Sequence, residues 1–427
     1  MVEETTKTTC AIVGGGPAGM VLGLLLARAG VDVVVLEKHG DFLRDFRGDT
    51  VHASTLTLLD ELGLGERFKK LHARFIQSLR VSLDSGSIEI NALGRLPGPH
   101  KHIAMIPQWD LLDLLADAAA SEPGFRLWMR AEATGTVVEG GRVVGVRYLR
   151  DGEPGELRAS LVVAADGRSS RMRDAAGLRP LSFGAPIDVL WFRLPRFEGA
   201  DPVGLTGRFS QGEGQGMALI DRGDYFQCAY LIRKGFDRAL REEGVAAFRD
   251  RIGSLVPWLA DRLSSVTSFD EVKLLDVQLN RLPKRWHTPG FLAIGDAAHA
   301  MSPVGGVGIN LAVQDAVASA RLLAGPLVRA QQSGAPIPDR ALASVRRRRL
   351  YPTFVIQTFQ RVAHRLVFAK VGLPGPAPAP RARRRAPFVL RLAQRFPLLQ
   401  ALPGMLIAIG PLPEHAPDWA RRQPVGD

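Results

Sequence analysis

A glycine-rich turn near the start of the chain constrains the fold more than any other feature of the sequence. The apolar run CAIVG (residues 10–14) is followed by the turn GGGPAG (residues 14–19) and then by a helical pattern through LLLARAG. The β-branched run VDVVVLE (residues 31–37) comes next. A buried strand, a G-x-G-x-x-G turn, a helix with proline in its first turn and a second buried strand predict a βαβ unit with a parallel sheet.

Each glycine of this turn has its own physical reason. Gly14 permits the tight turn, Gly16 lets the backbone approach a pyrophosphate, and Gly19 lets helix and strand pack closely. The helix N-terminus supplies free N–H groups and partial positive charge, and Glu37 would accept hydrogen bonds from a ribose. The turn predicts a dinucleotide site, the alternative being an ordinary βα turn without ligand. Its candidate residues are Gly14, Gly16, Pro17, Ala18, Gly19, Glu37 and Lys38.

Composition restricts the class of protein. At 427 residues, the chain is long enough for two or three domains. The 2 cysteines, Cys10 and Cys228, exclude a disulfide framework and a multi-cysteine metal site, and no metal site is predicted. Such low cysteine usage suits a reducing cytoplasm, and neither a secretory leader nor a long uninterrupted apolar run is visible.

The chain is basic, with 55 Lys and Arg against 43 Asp and Glu. Much of the excess lies in RRRRL (residues 346–350) and PRARRRAP (residues 380–387), without any nucleic-acid-binding signature. Nucleic acid is therefore not a predicted partner. A solvated basic face or a membrane-surface patch explains the charge instead.

Two further motifs follow predicted buried strands. In AADGRSSRMR (residues 164–173), Asp166 and Gly167 end a strand, and the motif is equally well explained as a helix cap. In GDAAHAMSPVGGVGINLAVQDA (residues 295–316), Asp296 can accept bonds from sugar-alcohol hydroxyls, and the glycines clear the start of a helix whose positive end suits an anionic ring. A purely structural loop is the alternative. The candidates are Gly295, Asp296, Pro303, Gly306, Val307, Gly308, Ile309 and Asn310.

With these three motifs in this order, the chain resembles the class A flavoprotein monooxygenases, the p-hydroxybenzoate hydroxylase family, over about residues 8 to 330. Gly295, Asp296, His299, Pro303, Gly308 and Asn310 match the family's late motif, and Asp166, Gly167, Ser170 and Arg173 match its middle motif. The resemblance implies bound FAD, with Asp296 at the ribityl chain and the backbone of residues 307–310 at the isoalloxazine. It also places Arg47 and Gln108 beside the cofactor.

The expected fold class is α/β: a Rossmann-like FAD-binding domain with a parallel sheet, an inserted antiparallel β-sheet substrate domain and C-terminal helices. The alternating strand patterns of residues 183–282 predict the inserted sheet. The expected boundaries are residues 1–75, 100–182 and 283–372 for the FAD-binding domain, residues 76–99 and 183–282 for the substrate domain, and residues 373–427 for a proline- and arginine-rich linker with a helical tail.

The resemblance implies an enzyme that uses NAD(P)H and O2 to hydroxylate or epoxidise an apolar, aromatic small molecule through a flavin C4a-hydroperoxide. Because the chain has one full dinucleotide fingerprint, NADPH or NADH would visit transiently; GEGQGM (residues 212–217) is interpreted as a hairpin loop. The alternatives are an isoprenoid reductase of the geranylgeranyl type without oxygen insertion and a non-catalytic FAD-binding redox sensor. A flavin halogenase is disfavoured because no W-x-W-x-I-P stretch is present.

The finer assignments are less constrained. No catalytic residue is identified, and His52 and His299 are interpreted as packed or loop-orienting residues. The predicted lining of the substrate pocket comprises Trp191, Phe192, Phe209, Met217, Phe226 and Tyr230, although alternation places only about half of a strand on one face. The segment 388–410 is interpreted as helices packed on the FAD domain, with a peripheral membrane contact as the alternative.

Overall fold

The architecture is that of a computed structural model that describes residues 6–43, 50–83, 86–90, 93–210, 214–365 and 404–423. The strands are β1 Thr6–Val13, β2 Val33–Leu36, β3 Thr50–Val51, β4 Arg74–Ile76, β5 Leu79–Leu83, β6 Gly86–Ile90, β7 Ile103–Met105, β8 Phe125–Trp128, β9 Ala131–Glu139, β10 Arg142–Arg150, β11 Glu153–Ala164, β12 Leu181–Ser182, β13 Ile187–Pro195, β14 Leu205–Ser210, β15 Gln215–Asp221, β16 Tyr225–Arg233, β17 Lys273–Leu275, β18 Asn280–Arg281, β19 His287–Thr288 and β20 Phe291–Ala293.

Helices connect and cover these strands. The α-helices are α1 Pro17–Arg28, α2 Ala53–Glu61, α3 Gly65–Lys69, α4 Gln108–Ala120, α5 Arg171–Ala175, α6 Asp237–Glu243, α7 Val245–Leu255, α8 Gly308–Ser333 and α9 Asp339–Ala363. Shorter 3-10 helices are Pro257–Ser265, Phe269–Glu271, Gly295–Ala297 and Asp418–Ala420.

The first layer is a parallel sheet with helices on its faces, as the βαβ pattern predicts. The order β19-β20-β11-β1-β2-β8 is parallel from β20 to β8, and the meander β9-β10-β11 extends it in antiparallel pairs. Strand β2 is fully buried, and α1 is buried from Ala18 to Ala27. Strand β2 is apolar throughout because both of its faces are covered.

The second layer is a seven-stranded sheet in the order β17-β13-β16-β15-β14-β5-β6. It combines strands from residues 79–90 with strands from residues 187–275, which confirms an inserted sheet. The sheet is antiparallel, as expected, except at one pair: β5 and β14 run parallel. The two strands come from segments far apart in sequence, so no hairpin dictates their relative direction.

Two groups of helices complete the fold. Helices α6 and α7 and the 3-10 helix Pro257–Ser265 cover one face of the seven-stranded sheet around Phe248. Helix α8 lies against α1 and is followed by α9. Although α8 is long and apolar enough to cross a membrane, its apolar window is 67% buried inside the protein. We therefore interpret α8 as the central core helix.

The linker prediction for residues 373–385 and most of the apolar segment 388–410 lie outside the described residues. From residue 404 onward the chain packs on the first layer: Ala408, Ala416 and Ala420 are buried, and the Ala420 carbonyl accepts from Arg28. The described part of the tail therefore lies against the first layer.

Phe248→Ala tests the core between the seven-stranded sheet and its helices. The ring of Phe248 is fully buried and meets Phe192 and Tyr230 edge-on at centroid distances of 5.3 and 5.5 Å. We expect the free energy of unfolding to fall by about 3–5 kcal/mol in chemical denaturation, because an unfilled cavity remains. Val203→Ala, at a side chain that is 78% exposed, is the control and should change it by less than about 0.5 kcal/mol. Equal effects of the two substitutions would contradict this packing.

Candidate cofactor and substrate site

The first glycine turn is shaped by two close backbone contacts and one open position. Gly14 has φ +107°, and a Cβ there would lie 2.4 Å from the Ala165 carbonyl oxygen at the end of β11. A Cβ on Gly19 would lie 1.9 Å from the Gly14 carbonyl oxygen. By contrast, a Cβ on Gly16 would meet nothing within 4 Å. Packing therefore excludes side chains at Gly14 and Gly19, whereas Gly16 borders space that a ligand could fill.

Glu37 anchors the turn from the end of β2. Its buried carboxylate accepts a hydrogen bond from the Gly15 N–H through Oε2 at 3.0 Å and from the His39 N–H through Oε1 at 3.0 Å. A carboxylate oxygen has two lone pairs and can accept more than one hydrogen bond. Lys38 is exposed, and Gln108 is the first residue of α4. Arg47 lies outside the described residues.

The middle motif forms a local cap. Ser170 is the N-cap of α5, where its hydroxyl accepts from the Arg173 N–H at 3.0 Å and donates to Asp166. Asp166 also accepts from the Met172 N–H at 3.2 Å. Burial raises the pKa of Asp166 against these hydrogen bonds. The capping interpretation is thus confirmed. The motif also lies beside the first turn, since a Cβ placed on Gly14 would point at the Asp166 backbone.

The late turn lies between helices α1 and α8. Gly295 has φ +56°, and a Cβ there would lie 3.2 Å from the Ala312 Cβ on α8 and 3.5 Å from the Ala18 Cβ on α1. The next residue, Asp296, is partly exposed, with Arg168 Nη2 at 3.9 Å from Oδ2. Burial raises the pKa of Asp296, and Arg168 opposes that shift. This geometry brings the first and last motifs to one place.

The late glycine loop is held from β3 and α2. The Gly306 carbonyl accepts from Thr50 Oγ1 at 3.0 Å and lies 3.0 Å from His52 Nε2. Asn310 uses its buried Oδ1 to accept from Ser54 and Thr55 at 2.7 and 2.9 Å. The side chain of Asn310 therefore positions α2, while Gly308 begins α8 with Val307 as N-cap. The remaining members of this predicted set, Pro303 and Ile309, lie on the same loop and first helical turn.

The open face of the seven-stranded sheet meets this loop. Val304 packs with Ile187, Phe209 and Leu231. Trp191 lies on that face with Ile220 and Met105, and its buried Nε1–H has no hydrogen-bond partner among the described residues. At these described residues the sheet face beside the loop is therefore apolar and carries the indole donor of Trp191.

Four of the six predicted lining residues do not face this space. Phe192, Met217, Phe226 and Tyr230 belong to the core beneath α6 and α7, so their assignment to the pocket is wrong. The physical reason is the two-residue period of a strand, which puts them on the face opposite to Trp191 and Phe209. GEGQGM lies at the β14–β15 hairpin for its described part, as expected, with Ser210 paired to Gln215.

A buried polar chain behind the late turn was not predicted. Asp315 on α8 accepts from the Gly295 N–H at 3.0 Å, from His299 Nε2 at 2.6 Å and from Arg349 Nε at 3.0 Å. Burial would raise the pKa of Asp315, but His299 and Arg349 outweigh it and the pKa is lowered. His299 thus orients the loop, as the sequence suggests. The sequence signal for this polar chain was limited to polar residues, such as Asp315 on α8 and Arg349 on α9, among the apolar positions of helices.

These features fit FAD by the chemistry of the residues. The N-termini of α1 and α8 offer partial positive charge to a pyrophosphate and to an anionic ring, and Asp296 lies close to the Gly295 contact with α1. The open position at Gly16 leaves room for the phosphates. Among the described residues, no cluster of His, Cys, Asp and Glu is arranged to hold a metal ion.

Substitutions at Gly16 and Gly19 separate ligand binding from folding. Gly16→Val should keep the thermal stability of the apoprotein, because its Cβ meets no protein atom, but should abolish FAD retention during purification. Gly19→Ala should lower the melting temperature itself, because its Cβ would strike the Gly14 carbonyl. Visible absorbance and differential scanning calorimetry distinguish the two. A Gly16→Val protein that keeps FAD normally would contradict the assignment.

Comparison with known proteins agrees with this geometry. Residues 7–335 match the FAD binding domain family. The chain is 36% identical over 323 residues to the 6-methylpretetramide 4-monooxygenase of Streptomyces rimosus, covering 74% of this chain and 75% of that protein. It is 28% identical to the 12-dehydrotetracycline 5-monooxygenase/anhydrotetracycline 6-monooxygenase of Streptomyces rimosus over 72% of this chain and 60% of that protein. A digeranylgeranylglycerophospholipid reductase of Methanosarcina acetivorans is 24% identical over 70% of each chain.

The fold recurs in the OxyS anhydrotetracycline hydroxylase of Streptomyces rimosus, with a TM-score of 0.71 at 20% identity, covering 94% of this chain and 76% of that one. The three motifs, their convergence and the extent of the family match lead to one conclusion: the chain belongs to the FAD-binding-domain family of class A flavoprotein monooxygenases, and its cofactor is FAD.

Proposed function

We propose that this protein is an NAD(P)H-dependent monooxygenase that hydroxylates a polycyclic aromatic small molecule of the kind oxidised by the tetracycline-type relatives. The observation that carries the proposal is the packing of Val304 in the late glycine loop against Ile187 of the sheet, in a cluster that also includes Phe209 and Leu231. An apolar roof over the predicted position of the flavin ring suits a flat aromatic substrate. The 36% identity to a monooxygenase named for 6-methylpretetramide supports this substrate class.

The FAD site of this proposal comprises the glycine turns and their partners. The first turn and Glu37 would hold the adenosine and pyrophosphate, Asp296 the ribityl chain, and the backbone of residues 307–310 the ring. FAD, reduced by transient NAD(P)H, supplies the oxygen-activating chemistry. The protein's own contribution would be to orient the substrate and exclude water at the sheet face that meets the late loop. We assign the seven-stranded sheet with α6 and α7 to a substrate-binding unit.

The substrate is expected to present an oxygen to Trp191. The Nε1–H of Trp191 is a buried donor without a described partner, on the face that meets the late loop through its neighbours. Leaving a buried donor unpaired costs free energy, so a ligand carbonyl or hydroxyl there would be favoured. A hydroxylated polycyclic ring system provides such oxygens at its edges.

Two other functions remain distinguishable by experiment. Reductases of the geranylgeranyl type occur among the relatives, but at 24% to 27% identity rather than the 36% of the monooxygenase. A redox sensor would bind FAD without turning over a small molecule. The relevant difference is the fate of O2, which a monooxygenase incorporates and the other two do not.

Oxygen incorporation tests the proposal directly. We expect the purified holoenzyme to consume NAD(P)H faster when 6-methylpretetramide or a comparable tetracyclic phenol is added, and to place one atom from ¹⁸O2 in the product. Mass spectrometry measures the label, and catalase-coupled assays measure uncoupled peroxide. A saturated, unlabelled product would support the reductase. If none of the tested compounds stimulates NAD(P)H oxidation, the sensor is supported.

Trp191→Phe tests the indole donor. Removing the N–H while keeping most of the ring should raise KM about threefold to tenfold, the value of one hydrogen bond, with a smaller change in kcat. Trp258→Phe is the matched control, because Trp258 is 41% exposed and stacks edge-on with Phe226 on the helix-covered side. Equal KM changes in both variants would argue against a substrate contact at Trp191.

A further inference from the structure

The end of the described chain returns to the loops that surround the predicted flavin position. We call residues 404–416 the C-terminal strap. It lies beyond the part of the chain that matches the family, which ends at residue 335. Leu406 and Ile407 of the strap pack in one cluster with Val307, the N-cap of α8. A Cβ on Gly305 would lie 3.4 Å from Ile407 Cγ1, so strap and late loop are in van der Waals contact.

One buried histidine joins the strap to the late loop. His52 is fully buried, with Nδ1 at 2.8 Å from the Ile407 carbonyl and Nε2 at 3.0 Å from the Gly306 carbonyl. Burial lowers the pKa of His52 to about 4, so the ring is neutral at pH 7 and has a single N–H. The neutral ring donates only one hydrogen bond: with its proton on Nδ1, His52 donates to the Ile407 carbonyl, while Nε2 packs against the Gly306 carbonyl, which accepts from Thr50.

A second connection is made by buried charges. Glu414 of the strap is buried and accepts from Arg348 Nε at 2.7 Å and from Arg349 Nη1 at 3.4 Å. Arg349 reaches on to Asp315 Oδ1 at 3.0 Å, and Asp315 Oδ2 accepts from the Gly295 N–H at 3.0 Å. Arg349 therefore bridges Glu414 of the strap and Asp315, and Asp315 in turn holds the backbone of Gly295, the residue before Asp296.

A third contact comes from α8 itself. Gln314 donates to the Ile409 carbonyl of the strap at 3.0 Å and to Ser54 Oγ at 3.2 Å, while its own carbonyl oxygen accepts from Arg349 at 3.2 Å. Gln314 lies one residue before Asp315 and links both connections. The strap contacts thus converge on the two loops assigned to the ribityl chain and the ring.

We propose that the C-terminal strap is a component of the flavin site, in which His52 and Glu414 are positioning residues that hold residues 303–308 and the Gly295–Asp296 turn in place for FAD. The inference rests on the cofactor assignment of the proposed function. Its physical basis is that a buried charge or donor keeps one geometry only while its partner stays in place. Displacing the strap would release the late loop and the late turn together.

Glu414→Gln tests the proposal against simple tethering of the tail. In the holoenzyme we expect FAD to dissociate about fivefold faster or more, because coupled buried networks lose more than one contact. The visible spectrum and reduction potential of the bound flavin should shift as well. His52→Leu, which removes both ring nitrogens, should act in the same direction and serves if Glu414→Gln does not fold.

Glu61→Gln is the matched control. Glu61 accepts from His415 Nδ1 at 2.8 Å and from the Ala416 N–H at 2.7 Å, so it anchors the same strap away from the flavin loops. We expect a lower melting temperature but an FAD release rate within about twofold of wild type, as for partly exposed contacts. Equal acceleration by both variants, or an unchanged flavin in the Glu414 and His52 variants, would overturn the proposal. Wild-type protein that holds FAD but transfers no oxygen would refute only the proposed reaction.

Discussion

The close approach of α1 and α8 at Gly295 is the constraint on which the rest of the site depends. The α-hydrogen of Gly295 points between Ala18 and Ala312, whose Cβ atoms would be 3.5 and 3.2 Å from any side chain placed there. Small residues on both helices let their N-termini come together, although they belong to opposite ends of the sequence. Because each N-terminus carries partial positive charge, this arrangement favours negatively charged groups at both helix starts.

Keeping that approach in register requires buried polar groups, and these are paired. Asp315 is fully buried and would be costly as an isolated carboxylate, but Arg349, His299 and the Gly295 N–H all donate to it. Buried ion pairs of this kind contribute less to net stability than to selecting one arrangement. The lowered pKa of Asp315 shows that its partners outweigh the effect of burial. The late turn therefore keeps a single geometry.

The parts of the site that sequence reasoning could predict are those whose signal is local. A strand, a G-x-G-x-x-G turn and a helix are contiguous, so the roles of Gly14 and Gly19 follow from a few residues. The face of the seven-stranded sheet was not predictable in this way. Phe192 and Trp191 are neighbours on one strand, and both faces of that strand are apolar because helices cover one face and the late glycine loop meets the other. The links from His52 to Ile407 and from Arg349 to Glu414 join distant segments without any motif.

This two-sided sheet separates stability from specificity. The face with Phe192, Phe226 and Tyr230 is fully packed against helices, so its side chains are constrained by volume. On the other face, the ring of Phe209 lies over Gly207 and Gly216, which have no side chains. A Cβ on Gly207 would lie 2.9 Å from a ring atom of Phe209, and a Cβ on Gly216 would lie 2.7 Å from one. Residues on that face can change with the substrate while the helix-covered core holds the sheet in position. The helix-covered face thus fixes the position of the sheet, whereas the side chains on the other face are not constrained by packing against α6 and α7.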